Sequence, residues 1–107
     1  MGSWDDTLRE LQVIYVGESL ARLVHGDTLL ERLTFAASDR DALLDLCRLF
    51  HAFAGAGATY GFPKVSALGR DGEQACSAVL DGDETPTAEV IGHWRALVVA
   101  MRAELSR

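Results

Sequence analysis

At 107 residues, with 49% apolar residues and only two prolines, the chain has the size and composition of one small domain spanning residues 1–107, and a disordered or collagen-like chain is excluded. Its formal charge of −6 comes from acidic residues scattered along the chain, and its ten basic residues are equally dispersed, which argues for solubility and against a phosphate-tracking nucleic-acid surface. No apolar run reaches the ~18 residues of a membrane span and no charged-then-apolar segment opens the chain, so a cytoplasmic protein without membrane attachment is expected.

Four segments carry helical periodicity. The first, expected over about residues 4–37, opens with Ser3 three residues before Asp6, a capping-box spacing, and Asp5 and Asp6 put negative charge where a helix N-terminus favours it. Leu8, Leu11, Tyr15, Leu20, Leu23, Leu30 and Leu33 follow at roughly helical intervals. Gly17 and Gly26 weaken the run by about 1 kcal/mol each, and a bend, if there is one, falls near Gly26.

Ser38 and Asp41 repeat the capping-box spacing ahead of a second helix, expected over 39–59, whose face carries Leu43, Leu46, Cys47, Phe50, Phe53 and Gly57. Gly61 is free to take a left-handed turn and Pro63 suits the first position of a third helix, expected over 62–81. Val65, Leu68, Gly72, Cys76 and Val79 form its apolar face, and Asp81-Gly82-Asp83 stops it. Thr85 and Pro86 open the fourth, expected over 86–106, with Ile91, Trp94, Leu97, Val98, Met101 and Leu105 as its stripe. No alternating strand pattern occurs, and short connections between amphipathic helices predict an all-α, antiparallel up-and-down four-helix bundle.

Within this pattern most distinctive residues have a structural reading. Cys47 and Cys76 lie in apolar helical patterns, where a free thiol acts as a small hydrophobe, and reduced thiols agree with a cytoplasmic setting. Cys47 and His51 stand one turn apart and would need Cys76 or His93 to complete a metal-ligand set; a single pair at that spacing is a weak signal, no Cys-x-x-Cys pair accompanies it, and no metal site is assigned. Trp4 and Trp94 read as core or bundle-end packing, and His25 and His93 as surface or boundary residues. Gly55, Gly57, Gly69 and Gly72 are each costly in a helix and point to close helix packing, Gly55 with a further role.

His51 differs from these. At about 100° per residue it lies beside the core face of the second helix, near its edge, and the residues sharing its side are Ala54, Gly55 and Ala58. All three are small, which clears a docking surface over the imidazole. Glu73 lies on the flank of the third helix, beside Ser66, Arg70 and Ser77. If the two helices pack antiparallel, Glu73 accepts a hydrogen bond from one ring nitrogen of His51, fixes the tautomer and leaves the other nitrogen's lone pair outward.

The stretch His51-Ala52-Phe53-Ala54-Gly55-Ala56-Gly57-Ala58-Thr59-Tyr60-Gly61-Phe62 resembles the phosphorylation-site helix of histidine phosphotransfer (HPt) domains, above all those of chemotaxis-type (CheA-like) histidine kinases. Gly55 four residues after the histidine, Gly61-Phe62 at the turn, and Glu73 on the following helix carry the resemblance, which covers roughly residues 8–82; the fourth helix is consistent but generic. It implies a monomeric relay in a two-component phosphorelay. His51 would carry a phosphoryl group on its outer nitrogen, with Glu73 on the inner one. A response-regulator receiver domain and the ATP-binding domain of a sensor histidine kinase would be the partners. The resemblance implies no cofactor of the chain's own, with Mg only in the partner receiver domain, and no phosphate-binding glycine loop next to a lysine is present.

The sequence departs from the family at Ala54, where a lysine is usual. Arg70 occupies a position where relatives also carry a basic or histidine side chain and is the candidate phosphate stabiliser; Lys64 is a second, nearer the helix start. Two readings stay open: a phosphohistidine carrier, and an HPt-like module that docks a receiver or kinase domain without taking phosphate. A hydrolase would need a pocket with convergent polar groups, of which the sequence gives little sign.

Overall fold

Four α-helices hold most of residues 3–107, the part of the chain that the computed structural model describes: α1 (Ser3–Phe35), α2 (Arg40–Ala56), α3 (Pro63–Asp81) and α4 (Ala88–Leu105), with a 3₁₀ turn at Ala58–Tyr60 between α2 and α3. No strand occurs among the described residues. Each helix packs on its neighbours in the chain and α4 closes back on α1, while the diagonal pairs do not approach, so the expected four-helix bundle is formed. Arg102 to Asp27 at 2.7 Å and Arg95 to Thr34 at 2.8 Å tie α4 to α1 in antiparallel register.

The first helix is one continuous 33-residue element that ends at Phe35, two residues short of expectation. The capping box at Ser3 falls on a side chain outside the described residues. At about 1.5 Å per residue α1 is roughly 50 Å long, close to the 53 Å long dimension of the molecule. Gly26 is buried against Leu49 of α2 and Val98 of α4, and the helix runs through it. Tyr15 stacks on Tyr60 with ring centroids 4.5 Å apart, and Gln12 Nε2 donates to the Tyr60 carbonyl at 2.9 Å. The α2–α3 connection therefore lies beside Gln12 and Tyr15, and the first turns of α1 run past it. Trp4 is accordingly 72% and Leu11 42% exposed, which corrects the core reading of both.

The helix starts are set by side chains one or two residues beyond the expected ones. Asp39, not Ser38, caps α2: its Oδ1 accepts the Ala42 N–H at 3.0 Å. Arg32 grips the same carboxylate through two bonds of 3.0 and 3.1 Å, an arrangement a serine hydroxyl could not engage. Thr87 caps α4 by accepting the Val90 N–H at 3.2 Å, so that helix begins at Ala88 and buried Pro86 precedes the cap. The second helix stops at Ala56 rather than Thr59 because Ser66 of α3 intervenes. Its hydroxyl accepts the Ala58 N–H at 2.6 Å and donates to the Phe53 carbonyl, and Phe62 N–H returns to Gly57 O at 2.8 Å. Gly61 takes the left-handed conformation (φ 90°), and Pro63 opens α3 as expected.

Between the helices Leu23, Leu30, Leu33, Leu46, Phe53, Val65 and Met101 are fully buried, each burial being worth about 1.5–3 kcal/mol. Trp94 is buried with them, and its indole Nε1–H donates to the Gly72 carbonyl at 3.3 Å.

Candidate functional site

The site is built where α2 and α3 come closest. A Cβ at Gly72 would sit 2.4 Å from the Phe50 ring, and one at Gly69 would sit 2.6 Å from the Ala54 backbone nitrogen. Only a missing side chain allows this approach, so Gly69 and Gly72 let α3 lie against the backbone of α2, and Gly57 does the same for Ser66. Three of the four suspected glycines thus serve close packing. Gly55 does not: a Cβ there would meet nothing within 4 Å.

Phe50 and Gly72 face inward, so the residues that follow them in sequence, His51 and Glu73, stand at the outer edge of the same seam. His51 Nδ1 is hydrogen-bonded to Glu73 Oε2. The imidazole is 77% exposed and the glutamate side chain 32%. Glu73 is thereby braced by the bundle while the ring reaches into solvent. With Nδ1 engaged, Nε2 is the nitrogen presented outward. Ala54 is half-buried, and Gly55 and Ala58 are exposed beside the ring, so no long side chain of their side of α2 overhangs it.

Arg70 lies one helical turn before Glu73, and its neighbour Gly69 touches Ala54. By register the residue stands on the stretch of seam next to His51. It is exposed and has no hydrogen bond or ion pair among the described residues. Lys64 is directed elsewhere, to Glu104 of α4 at 3.9 Å. Ser66, expected on the same flank as Glu73, is buried and spent on the α2–α3 turn.

One pairing was missed. His93 Nε2 meets Asp71 Oδ1 at 3.0 Å across α3 and α4, with the same 22-residue separation that joins His51 to Glu73. Setting the edge of α3 against the edge of α4 in antiparallel register is the signal that would have found it. Among the described residues no group of three or more His, Cys, Asp or Glu side chains is arranged to hold a metal ion. No described helix is long and apolar enough to cross a membrane.

An exposed histidine with one ring nitrogen held by a carboxylate and the other free is equipped to act as a nucleophile toward an electrophile brought by another molecule. Comparison with known proteins agrees with this chemistry: a family model described as the Hpt domain matches residues 14–104. No curated protein and no solved structure matches the chain.

Proposed function

The chain belongs to the Hpt domain family, whose members act in histidine phosphotransfer within phosphorelays, and from that premise we propose that His51 is the residue that carries the phosphoryl group. The observation that supports this reading is the Nδ1 hydrogen bond to Glu73 on a largely exposed imidazole, which leaves the Nε2 lone pair pointing at an incoming partner.

In the forward step the Nε2 lone pair attacks phosphorus in line. The N–P bond forms as the bond from phosphorus to the donor oxygen breaks, and the electron pair leaves with that oxygen, on ADP at a sensor kinase's ATP site or on the aspartate of a phosphorylated receiver domain. Glu73 accepts the Nδ1–H and steadies the positive charge that develops on the ring. Arg70 supplies a cation beside the phosphoryl oxygens, in place of the charge that Ala54 lacks. In the second step a response-regulator aspartate attacks phosphorus and His51 leaves with the N–P electron pair. The small side chains Ala54, Gly55 and Ala58 admit the partner's reacting residue within bonding reach, since an in-line displacement tolerates little misplacement.

Incubation with a phosphodonor, a sensor kinase with ATP or a phosphorylated receiver, tests this. The intact protein gains one acid-labile phosphoryl group, His51→Gln gains none, and Glu73→Ala gains it more slowly, on the order of tenfold. Labile phosphate on His51→Gln overturns the assignment. Ala54 favours a second reading, a module that docks the same partners without taking phosphate; it predicts binding to a receiver or kinase domain with no gain in mass.

A further inference from the structure

The seam that brings His51 to Glu73 continues toward the other end of α2. One turn back from His51 along α2 is Cys47, and one turn forward from Glu73 along α3 is Cys76, so the antiparallel register sets the two cysteines opposite one another. Both are free thiols, and they lie close enough that each is the largest influence on the other's ionisation. Cys76 is fully buried, whereas Cys47 is only half-buried. We propose that Cys47 and Cys76 form a peroxide-responsive dithiol that closes into a disulfide between α2 and α3 and thereby alters the adjoining His51–Glu73 pair.

The roles of the two sulfurs follow from their surroundings. Interaction with Cys76 holds the Cys47 thiol below its ordinary pKa, while the same interaction and then burial push Cys76 up. Cys47, the accessible sulfur with the greater thiolate character, is the one that reacts first. Its thiolate attacks one oxygen of hydrogen peroxide. The S–O bond forms, the O–O bond breaks and hydroxide leaves, so that sulfur is oxidised by two electrons and peroxide is reduced. Cys76 sulfur, its proton passing to the departing oxygen, then attacks Cys47 sulfur; the S–S bond forms, the S–O bond breaks and water leaves. In sum two thiols and one hydrogen peroxide give one disulfide and two waters.

Bonding brings the two sulfurs to about 2.05 Å of each other. The helices cannot simply close up by that amount, because Phe50 against Gly72 is already at the limit of approach, one residue from His51 and from Glu73. The closure is taken up by tilt or rotation about that contact, which moves Glu73 relative to the imidazole. The effect on phosphate uptake rests on the proposed role of His51; the disulfide and its effect on the hydrogen bond do not.

The test uses the whole reduced chain. After hydrogen peroxide and an alkylating reagent, the intact mass is two hydrogens lighter with neither cysteine alkylated, digestion yields a Cys47–Cys76 linked peptide, and dithiothreitol reverses both. Cys47→Ser and Cys76→Ser give no such product. Cys47 halted at sulfenic or sulfinic acid with Cys76 still alkylatable after unfolding, or disulfides between chains, overturns the dithiol. Oxidation also shifts the His51 ring ¹⁵N resonances and slows phosphate uptake on the order of tenfold, whereas Cys47→Ser keeps its uptake rate under peroxide; unmoved His51 resonances overturn the coupling. Shifted resonances in a chain whose reduced form takes up no phosphate uphold the switch and overturn the phosphotransfer reading instead.

Discussion

Gly72→Ala places a methyl group where the helix seam has no room for one. Its Cβ would stand 2.4 Å from a Phe50 ring carbon, whereas non-bonded carbons settle at about 3.5–4.0 Å, so at least about 1 Å of separation has to be found. Phe50 is fully buried and cannot swing aside. The helices must therefore part, or the ring must leave its rotamer, at a typical overpacking cost of about 1–3 kcal/mol. Against this, alanine is favoured over glycine in a helix by about 1 kcal/mol. The expected net is a loss of about 1 kcal/mol, or roughly 5 °C in the thermal midpoint of a domain this size. Gly17→Ala is the control, because nothing lies within 4 Å of its added Cβ and only the favourable helix effect operates. Because Phe50 adjoins His51 and Gly72 adjoins Glu73, parting the helices also lengthens the His51–Glu73 hydrogen bond. Thermal unfolding and phosphotransfer rates are then measured on both variants. If Gly72→Ala raises the midpoint as Gly17→Ala does and transfers phosphate at the parental rate, the close seam is not what holds the pair.

Three other expectations concern single side chains. Arg70→Ala should leave the thermal midpoint unchanged, since Arg70 is exposed and unpaired among the described residues, and should slow phosphate uptake on the order of tenfold; equal uptake rates would remove Arg70 from the site. Ser66→Ala takes the acceptor from the Ala58 N–H and should cost about 1–3 kcal/mol in urea unfolding, with an unchanged midpoint as the refuting result. Asp39 has its carboxyl pKa lowered, first by the Ala42 N–H and then by Arg32. A lowered folded-state value means that its stabilisation is present above the unfolded pKa and disappears as pH falls through the folded one. The stability difference between the parent and Asp39→Ala should therefore be constant near neutrality and shrink as the pH drops below about 4; a difference that persists in strong acid contradicts the cap.

Periodicity located all four helices because leucine and aromatic residues recur on one face of each, and burial of that face is what makes the helices form. Their starts were less legible. Ser38 and Asp39 both offer capping oxygens, and what selects Asp39 is Arg32, seven residues away on another helix. The early end of α2 depends on Ser66 in the same way, ten residues after Ala56, a contact that no local spacing announces. Trp4 and Leu11 fit a helical pattern, but that pattern does not tell where the neighbouring helices stop, and α1 outruns them. At the site, His51 and Glu73 were legible because the edge of one antiparallel helix must meet the edge of the next. His93 and Asp71 obey the same rule and were missed for want of a surrounding motif.

Nothing among the described residues closes over the imidazole of His51. A phosphoryl group on Nε2 would stand in bulk water, with no lid to keep hydrolysis away and no cavity to give it a preferred residence. Its lifetime would be set by the lability of the nitrogen–phosphorus bond and by the arrival of the next acceptor. Such a carrier would hold a message only for that lifetime, and the concentrations of its partners would govern how long the message lasts.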